Sequence, residues 1–298
     1  MYKSKLSNLD YLNINNIYAY FVNVGHGNTT FIIIKTNEGI FTIAVDCSIG
    51  DKKYIPSLNN IQDCIKHIET NFNIEFSIDV FFLTHPHYDH YSGMMFLLIE
   101  DYLNKDTEIW MNNDYQMPSG FFRNIKKSIL GKGCKIILPI VKNSININTL
   151  DIFHPEQNIE NPKYSKKTNV PLEKNPNNTS LVFSLTFNNE YRIVFTGDIE
   201  EKAWKSFYYN TNVACCYTYY CISHHGSENG HVEDDFCNYC AKYQKAILMG
   251  RDNAYKGIYS QDVKNFFKNI IYVNSISKTK TSKYIEINFK NNIEKYYY

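Results

Sequence analysis

Three histidines and one aspartate fall within six residues, His85-Pro86-His87-Tyr88-Asp89-His90. Imidazole and carboxylate together suit zinc, and in mixed sites also iron, nickel or manganese. Alternate side chains of an extended segment point the same way, so His85 and His87 can pinch one cation. Asp89 and His90 fall where the next segment turns helical, and from there they can reach a second cation close by. The plain alternative is a polar turn. Against it, the loop follows an apolar run and precedes a helical pattern, the context a metal motif requires. Two later stretches share that context. Phe195-Thr196-Gly197-Asp198 sets a carboxylate just past a buried strand, and Ile222-Ser223-His224-His225-Gly226-Ser227 sets two histidines just past another. Asp198 could bridge two cations, and either His224 or His225 could complete the second site.

Charge then narrows the chemistry. Two divalent cations outweigh the negative charges of Asp89, Asp198 and a bridging hydroxide, so an anionic substrate or transition state is favoured. Paired ions roughly 3.5–4 Å apart bring the pKa of bound water toward neutrality. Hydroxide becomes the nucleophile, and no serine or cysteine is needed for that role. Asp46, at the end of an apolar run, is placed to hydrogen-bond a ligand histidine from behind.

The elements that must position these residues are readable from periodicity. Tyr18–Val24, Thr29–Lys35 and Phe41–Asp46 read as strands, the first two joined by the turn Gly25-His26-Gly27-Asn28. Ile61–Phe72 has helical spacing. Ile78–Thr84 reads as a buried strand feeding His85, and Met94–Leu103 as a helix. Glu108–Met111 and Cys134–Leu138 read as strands around a helix over Gly120–Leu130. Asn158–Asn178 is polar and aperiodic, which predicts a loop. Strands follow over Ser180–Phe187, Tyr191–Thr196, Tyr219–Ser223, Ala246–Met249, Ile270–Val273 and Tyr284–Phe289. Helices are expected over Glu200–Tyr208, Asp234–Lys242 and Gln261–Lys268. Hairpins first and alternation later predict a single α/β domain over 1–298, with mixed sheets and helices outside.

Composition excludes several classes. With 44% hydrophobic and 20% charged residues the chain can build a sizeable core and is no disordered polymer. A net charge of +1 gives no global field for nucleic acid. Local basic runs occur at Arg123–Lys135, Lys163–Lys174 and Lys278–Lys283, and such runs are commonly solvated faces. No stretch approaches the roughly 20 apolar residues of a membrane span, and Met1–Asp10 lacks an apolar signal core, so a soluble, cytoplasmic protein is expected. Cys237-Asn238-Tyr239-Cys240 has metal-knuckle spacing with no second such pair, so buried or free thiols are expected for the cysteines, including Cys215, Cys216 and Cys221. His67 and His231 read as packing or solvated residues.

The order HxHxDH, TGD, HHGS resembles the metallo-β-lactamase fold superfamily. Within it the chain is similar to the soluble domain of the DNA-uptake channel protein ComEC and its stand-alone relatives. Val22–Asn28 (VNVGHGN), Ile43–Cys47 (IAVDC), Asn177–Val182 (NNTSLV) and Gly250–Tyr255 (GRDNAY) also match that subgroup, and the resemblance covers about residues 17 to 290. It implies a four-layered αββα sandwich with metals at one edge. His85 and His87 would hold the first ion. Asp89 and one histidine of the HHGS pair would hold the second, His225 rather than His224 because the family ligand commonly precedes glycine. His90 would stand alongside and Asp198 would bridge.

The departures matter as well. A further histidine common on the first metal is missing, and the corresponding stretch, Asn177 to Ser180, offers Asn177 or water in its place, with Asn178 beside it. The late loop carries Asn253 but lacks the usual following His-Pro. His154-Pro155 resembles a structural turn. The resemblance puts His26 beside the metals, as substrate contact or proton donor; the residues alone equally allow an exposed hairpin tip.

The expected activity is metal-dependent hydrolysis of a phosphodiester, with catalytic Asp89 and His26 and two ions, zinc or manganese (iron or nickel also suit). The substrate would be anionic, a single-stranded nucleic acid or a nucleotide. Hydrolysis of a small ester, lactone, thioester or phosphoester is a second reading. A metal-impaired binding or defence-effector module acting with a partner protein is a third.

Overall fold

The structure, a computed structural model, describes residues 3–50, 56–117, 119–167, 169–207, 218–230, 245–252, 254–267, 269–274 and 281–298. After a short helix, α1 (Leu6–Leu9), strands β1 (Ile14–Val22), β2 (Thr29–Thr36) and β3 (Ile40–Cys47) run as an antiparallel meander. Their isoleucine-, phenylalanine- and threonine-rich runs suit a pleated, half-buried surface. Three strands then add in parallel: β4 (Val80–Phe82), β5 (Glu108–Trp110) and β6 (Lys135–Ile137). Parallel neighbours need a crossover. It is supplied in turn by α2 (Ser57–Phe72), by α3 (Tyr88–Tyr91) with α4 (Met94–Ile99), and by α5 (Gly120–Lys132).

A second sheet opens with antiparallel β7 (Leu150–His154), β8 (Val182–Phe187) and β9 (Tyr191–Phe195). Past α6 (Glu201–Phe207), strands β10 (Tyr219–Cys221) and β11 (Lys245–Leu248) add in parallel. Helix α7 (Gln261–Phe266) leads to β12 (Ile270–Tyr272), and β13 (Tyr284–Asn288) with β14 (Ile293–Tyr297) returns to the first sheet beside β1. The strand orders are β14-β13-β1-β2-β3-β4-β5-β6 and β12-β11-β10-β9-β8-β7.

Period-two side chains divide each sheet into two faces. Ile17, Ala19 and Phe21 of β1 enter the core between the sheets, where Phe183, Ile193 and Ile247 meet them from the other side. Phe183 of β8 stacks on Phe82 of the opposite sheet at 4.4 Å and on Phe195 at 5.1 Å. The outer face of the first sheet, through Tyr20, Phe31 and Phe81, packs on Ile61 and Ile65 of α2, Leu97 of α4 and Ile125 of α5. On the outer face of the second, Val194, Tyr220 and Leu248 pack on Trp204 of α6 and Val263 of α7. The layers are therefore helix, sheet, sheet, helix, the αββα sandwich expected.

Two strands have no clear signal in the sequence. β14 is an edge strand with mostly exposed side chains, and β7 is a five-residue run ending in His154-Pro155. Among its described residues the polar stretch 158–178 is irregular apart from one bridge, Glu160 to Leu172, and a 3-10 turn at Pro176–Thr179. The helix expected over Asp234–Lys242, His231, the Cys237/Cys240 pair, and Cys215 and Cys216 lie outside the described residues. Cys221 is buried. Among the described residues no helix is long and apolar enough to cross a membrane.

Candidate metal centre

Carboxyl ends of four strands deliver the site. β3 carries Asp46 as its penultimate residue, β4 runs into the His85 loop, β9 into Asp198 and β10 into His225. Asp46 has left-handed backbone, φ 54°, and its buried carboxylate accepts the Thr84 N–H at 2.8 Å and the Thr84 hydroxyl at 2.8 Å. Its Oδ2 also accepts His90 Nδ1–H at 2.7 Å. That bond fixes the His90 ring and directs Nε2 to within 3.2 Å of Asp198 Oδ1.

Donor atoms converge in two groups, each within 4.8 Å: Asp89, His90, Asp198 and His225, and then His85, His87 and Asp198. His225 Nε2 stands 3.2 Å from Asp89 Oδ2 and 3.4 Å from Asp198 Oδ2. His85 Nε2 is 3.0 Å from His87 Nδ1 and 3.8 Å from Asp198 Oδ2. Asp198 belongs to both groups. It follows Gly197, whose φ is +55° and whose hydrogen faces a space where a Cβ would lie 2.9 Å from Ser180 Cβ and 3.0 Å from Thr84 Cβ. The Ser180 hydroxyl accepts the Asp198 N–H at 3.1 Å.

The cluster suits divalent cations on its own terms. His90 Nε2 and Asp198 Oδ1 are buried and neither has an acceptable hydrogen bond, where buried polar atoms are ordinarily satisfied. Burial, reinforced by neighbouring His90, holds His85 well below the usual imidazole value, and burial lowers His87 likewise. Neutral imidazole is the form a cation binds. For His90 and His225 burial also opposes charge, but the carboxylates prevail. Asp198 and Asp46 hold His90 well above its ordinary value, and Asp198 with Asp89 lifts His225 to about 9. Asp89 and Asp198 stay ionised despite burial because those histidines face them. Protons on His90 and His225 thus balance carboxylates that a cation would neutralise instead.

His26 belongs to this site and is no exposed hairpin tip. Its Nε2 is 3.5 Å from Asp89 Oδ2, with 11% of the side chain accessible. The ring lies 4.3 Å from that of His225 and 5.1 Å from that of Tyr255. Burial, with His225 adding, pushes His26 down to about 3. The turn is pinned because Asn28 N–H donates to Asp89 O at 3.1 Å. At Gly27, φ +142°, a Cβ would fall 2.6 Å from that same oxygen.

His224 is in neither donor group. Both members of the His224-His225 pair have left-handed backbone, φ 49° and 51°, and they diverge. His224 Nε2 lies 3.3 Å from Asn177 Nδ2 and its Nδ1 3.8 Å from Glu200 Oε1. Asn177 donates to Glu200 at 2.9 Å, and Asn178 is buried next to it. Glu200 has no motif to announce it; only its position two residues past Asp198 places a carboxylate here. Asn253 lies outside the described residues. Its loop backs the site through Gly250, where a Cβ would fall 2.8 Å from His225 Cβ. His154 is apart from both groups, buried with Nδ1–H on Ser180 O at 2.8 Å. His67 pairs with Glu286 at 3.2 Å, a packing role.

No family model matches the chain, and no curated protein matches it. Among solved structures it is similar to the metallo-β-lactamase fold protein YhfI from Bacillus subtilis, at 12% identity and TM-score 0.48, over 87% of this chain and 96% of that one. It is similar to yeast PDE1 at 14% identity and TM-score 0.41, over 86% and 97%. A quorum-quenching N-acyl homoserine lactone hydrolase is similar at 12% identity and TM-score 0.33, over 62% and 74%. On its own geometry, the chain gathers a buried histidine and aspartate cluster fit for divalent cations at one edge of an αββα sandwich.

Proposed function

We propose that this chain is a metallo-β-lactamase-fold hydrolase of the ComEC-like kind, a single catalytic domain that cleaves phosphodiesters with two divalent cations, zinc or manganese. The observation that carries the reading is the shared Asp198: one carboxylate serves a four-donor group and a three-donor group that together hold only two carboxylates. Two divalent cations against Asp89 and Asp198 leave the site positive, which favours a substrate that brings its own negative charge. Once bound, the ions would supply Lewis acidity and an activated water.

The chain's own groups do the positioning. Asp46 locks His90, and the backbone of Gly250 supports His225. Asp89 is the more open of the two carboxylates, 25% accessible against 3% for Asp198, so it faces arriving substrate. Its Oδ2 lies 3.5 Å from His26 Nε2, which sets the neutral imidazole beside the carboxylate that substrate meets. The three-donor group has no carboxylate of its own beyond Asp198, so its ion binds more weakly than the other.

The test is purified protein loaded with manganese or zinc, assayed on bis(p-nitrophenyl) phosphate and single-stranded DNA beside a lactone and a thioester. Diester cleavage that disappears in Asp89→Ala is expected. Cleavage of the lactone or thioester with none of either diester would overturn the substrate class. Full activity in Asp89→Ala would overturn the site.

A further inference from the structure

Two of the basic runs, far apart in sequence, meet in space. Arg123 of α5 and Lys166 and Lys167 of the 158–174 stretch line one cavity of about 480 Å³, together with Tyr164, Asp114 and Glu160. The charges are not equivalent. Lys167 Nζ pairs with Asp114 Oδ2 at 3.0 Å and Glu160 Oε1 at 3.3 Å. Those acids are engaged further: Asp114 accepts Asn158 Nδ2 at 2.9 Å and Glu160 accepts the Ser165 hydroxyl at 2.6 Å. Arg123 and Lys166 are exposed and form no ion pair among the described residues. The cavity therefore offers two cations with no ion pair among the described residues, over a floor where Lys167 offsets one of two hydrogen-bonded carboxylates, so its charged lining is net positive. Arg123 also lies in the first turn of the 13-residue α5, whose amino end adds positive potential.

The cavity wall and the donor cluster are packed together. Tyr88 adjoins Asp89 in the chain, and its ring lies 6.0 Å from Phe121, two residues before Arg123. The Tyr91 hydroxyl meets Ser119 Oγ, the cap of α5, at 3.1 Å, and the Tyr91 ring packs on Phe122 at 4.8 Å. Helix α3, which carries Asp89 and His90, is thereby fastened to helix α5. The opposite wall is held by Tyr115, whose hydroxyl donates to Glu173 O at 3.0 Å.

We infer that this cavity binds the nucleotide next to the one being cleaved, with Arg123 and Lys166 on a phosphate that does not react and Tyr164 under a base. This rests on the phosphodiesterase reading and deepens it. The guanidinium fork matches phosphate oxygens, and an aromatic face accepts any base. A diester with one phosphate cannot use the cavity, while a strand with several can. Arg123 and Lys166 are then specificity residues that touch substrate away from the reacting bond.

The experiment separates this site from the chemistry. Binding of fluorescein-labelled oligothymidylate is followed by anisotropy in EDTA, over a salt series, for wild type, Arg123→Ala/Lys166→Ala and Tyr164→Leu. The double variant should bind at least about tenfold more weakly, and its salt slope should shrink by about 0.7, the value for one phosphate contact on a single strand. Tyr164→Leu should lose roughly tenfold with an unchanged salt slope. With manganese, kcat/KM on bis(p-nitrophenyl) phosphate should stay within twofold of wild type in both variants. Unchanged oligonucleotide affinity and slope in the double variant would overturn the inference, as would a parallel loss on the small diester. A wild type that cleaves the small diester but binds no oligonucleotide would also overturn it and leave the hydrolase reading standing. A wild type that cleaves nothing yet loses oligonucleotide binding through these substitutions would support the cavity and refute the hydrolase reading.

Discussion

Replacing Asp46 with asparagine tests the link between fold and metal centre most sharply, because the side chain keeps its shape and loses only its charge and one acceptor. Asp46 is 1% exposed and accepts Thr84 N–H, Thr84 O–H and His90 Nδ1–H at 2.8, 2.8 and 2.7 Å. In the variant the amide oxygen must stay on the Thr84 N–H, which has no other acceptor. The amide nitrogen then takes the place of Oδ2, facing the Thr84 hydroxyl and His90 Nδ1. A hydroxyl can rotate and accept. His90 can accept at Nδ1 only by giving up that proton and keeping the one on Nε2, the atom that points at Asp198. A protonated Nε2 is no ligand, so cation binding must reverse that tautomer and leave a poor contact behind. Loss of such an outer partner costs about 10–100-fold in metal affinity, or about 1.4–2.7 kcal/mol. Losing the charged acceptor also removes about 1.5–3 kcal/mol from the stability of the metal-free fold. Zinc affinity by competition with a chromophoric chelator, and urea unfolding in EDTA, read the two effects separately. Wild-type affinity for both ions in a folded Asp46→Asn would rule out this role for Asp46.

Two further outcomes follow from the same geometry. His225→Ala should weaken the tighter ion by more than about 100-fold, beyond the range of an outer partner, while His224→Ala should stay within about threefold; equal losses in chelator competition would contradict the divergence of the pair. His154 is buried neutral, with its pKa pushed from 6.5 down to about 4. The unfolded chain takes up a proton below pH 6.5 and the folded chain only below about 4, so this stability is complete above 6.5. It is lost as pH falls toward 4, by about 3 kcal/mol in all. Urea midpoints at pH 7 and pH 4.5 should therefore differ less in His154→Gln than in wild type, and an unchanged difference would contradict the burial argument.

What was legible in the sequence, and what was not, divides by the range of the interaction involved. His85, His87, Asp89 and His90 are neighbours in the chain, and the strand before them and the helix after them leave traces in local periodicity. Asp198 and His225 are legible for the same reason, as polar residues just past apolar runs. Alternating strands and helices foretell mixed sheets with outer helices, but β14 escapes because an edge strand need not alternate. The choice between His224 and His225 depends on two consecutive left-handed residues, which send adjacent side chains to opposite sides. Nothing in a two-residue repeat of the same amino acid encodes that. Glu200 and His26 are harder still. Glu200 acquires a role only when Asn177 and His224 arrive from two other turns. His26 is placed by one long-range bond, Asn28 N–H to Asp89 O, and by a glycine without which the turn would collide with that same carbonyl. The resemblance to a known superfamily supplied what local patterning could not for His26, because a fold constrains pairs of residues that a spacing rule never compares.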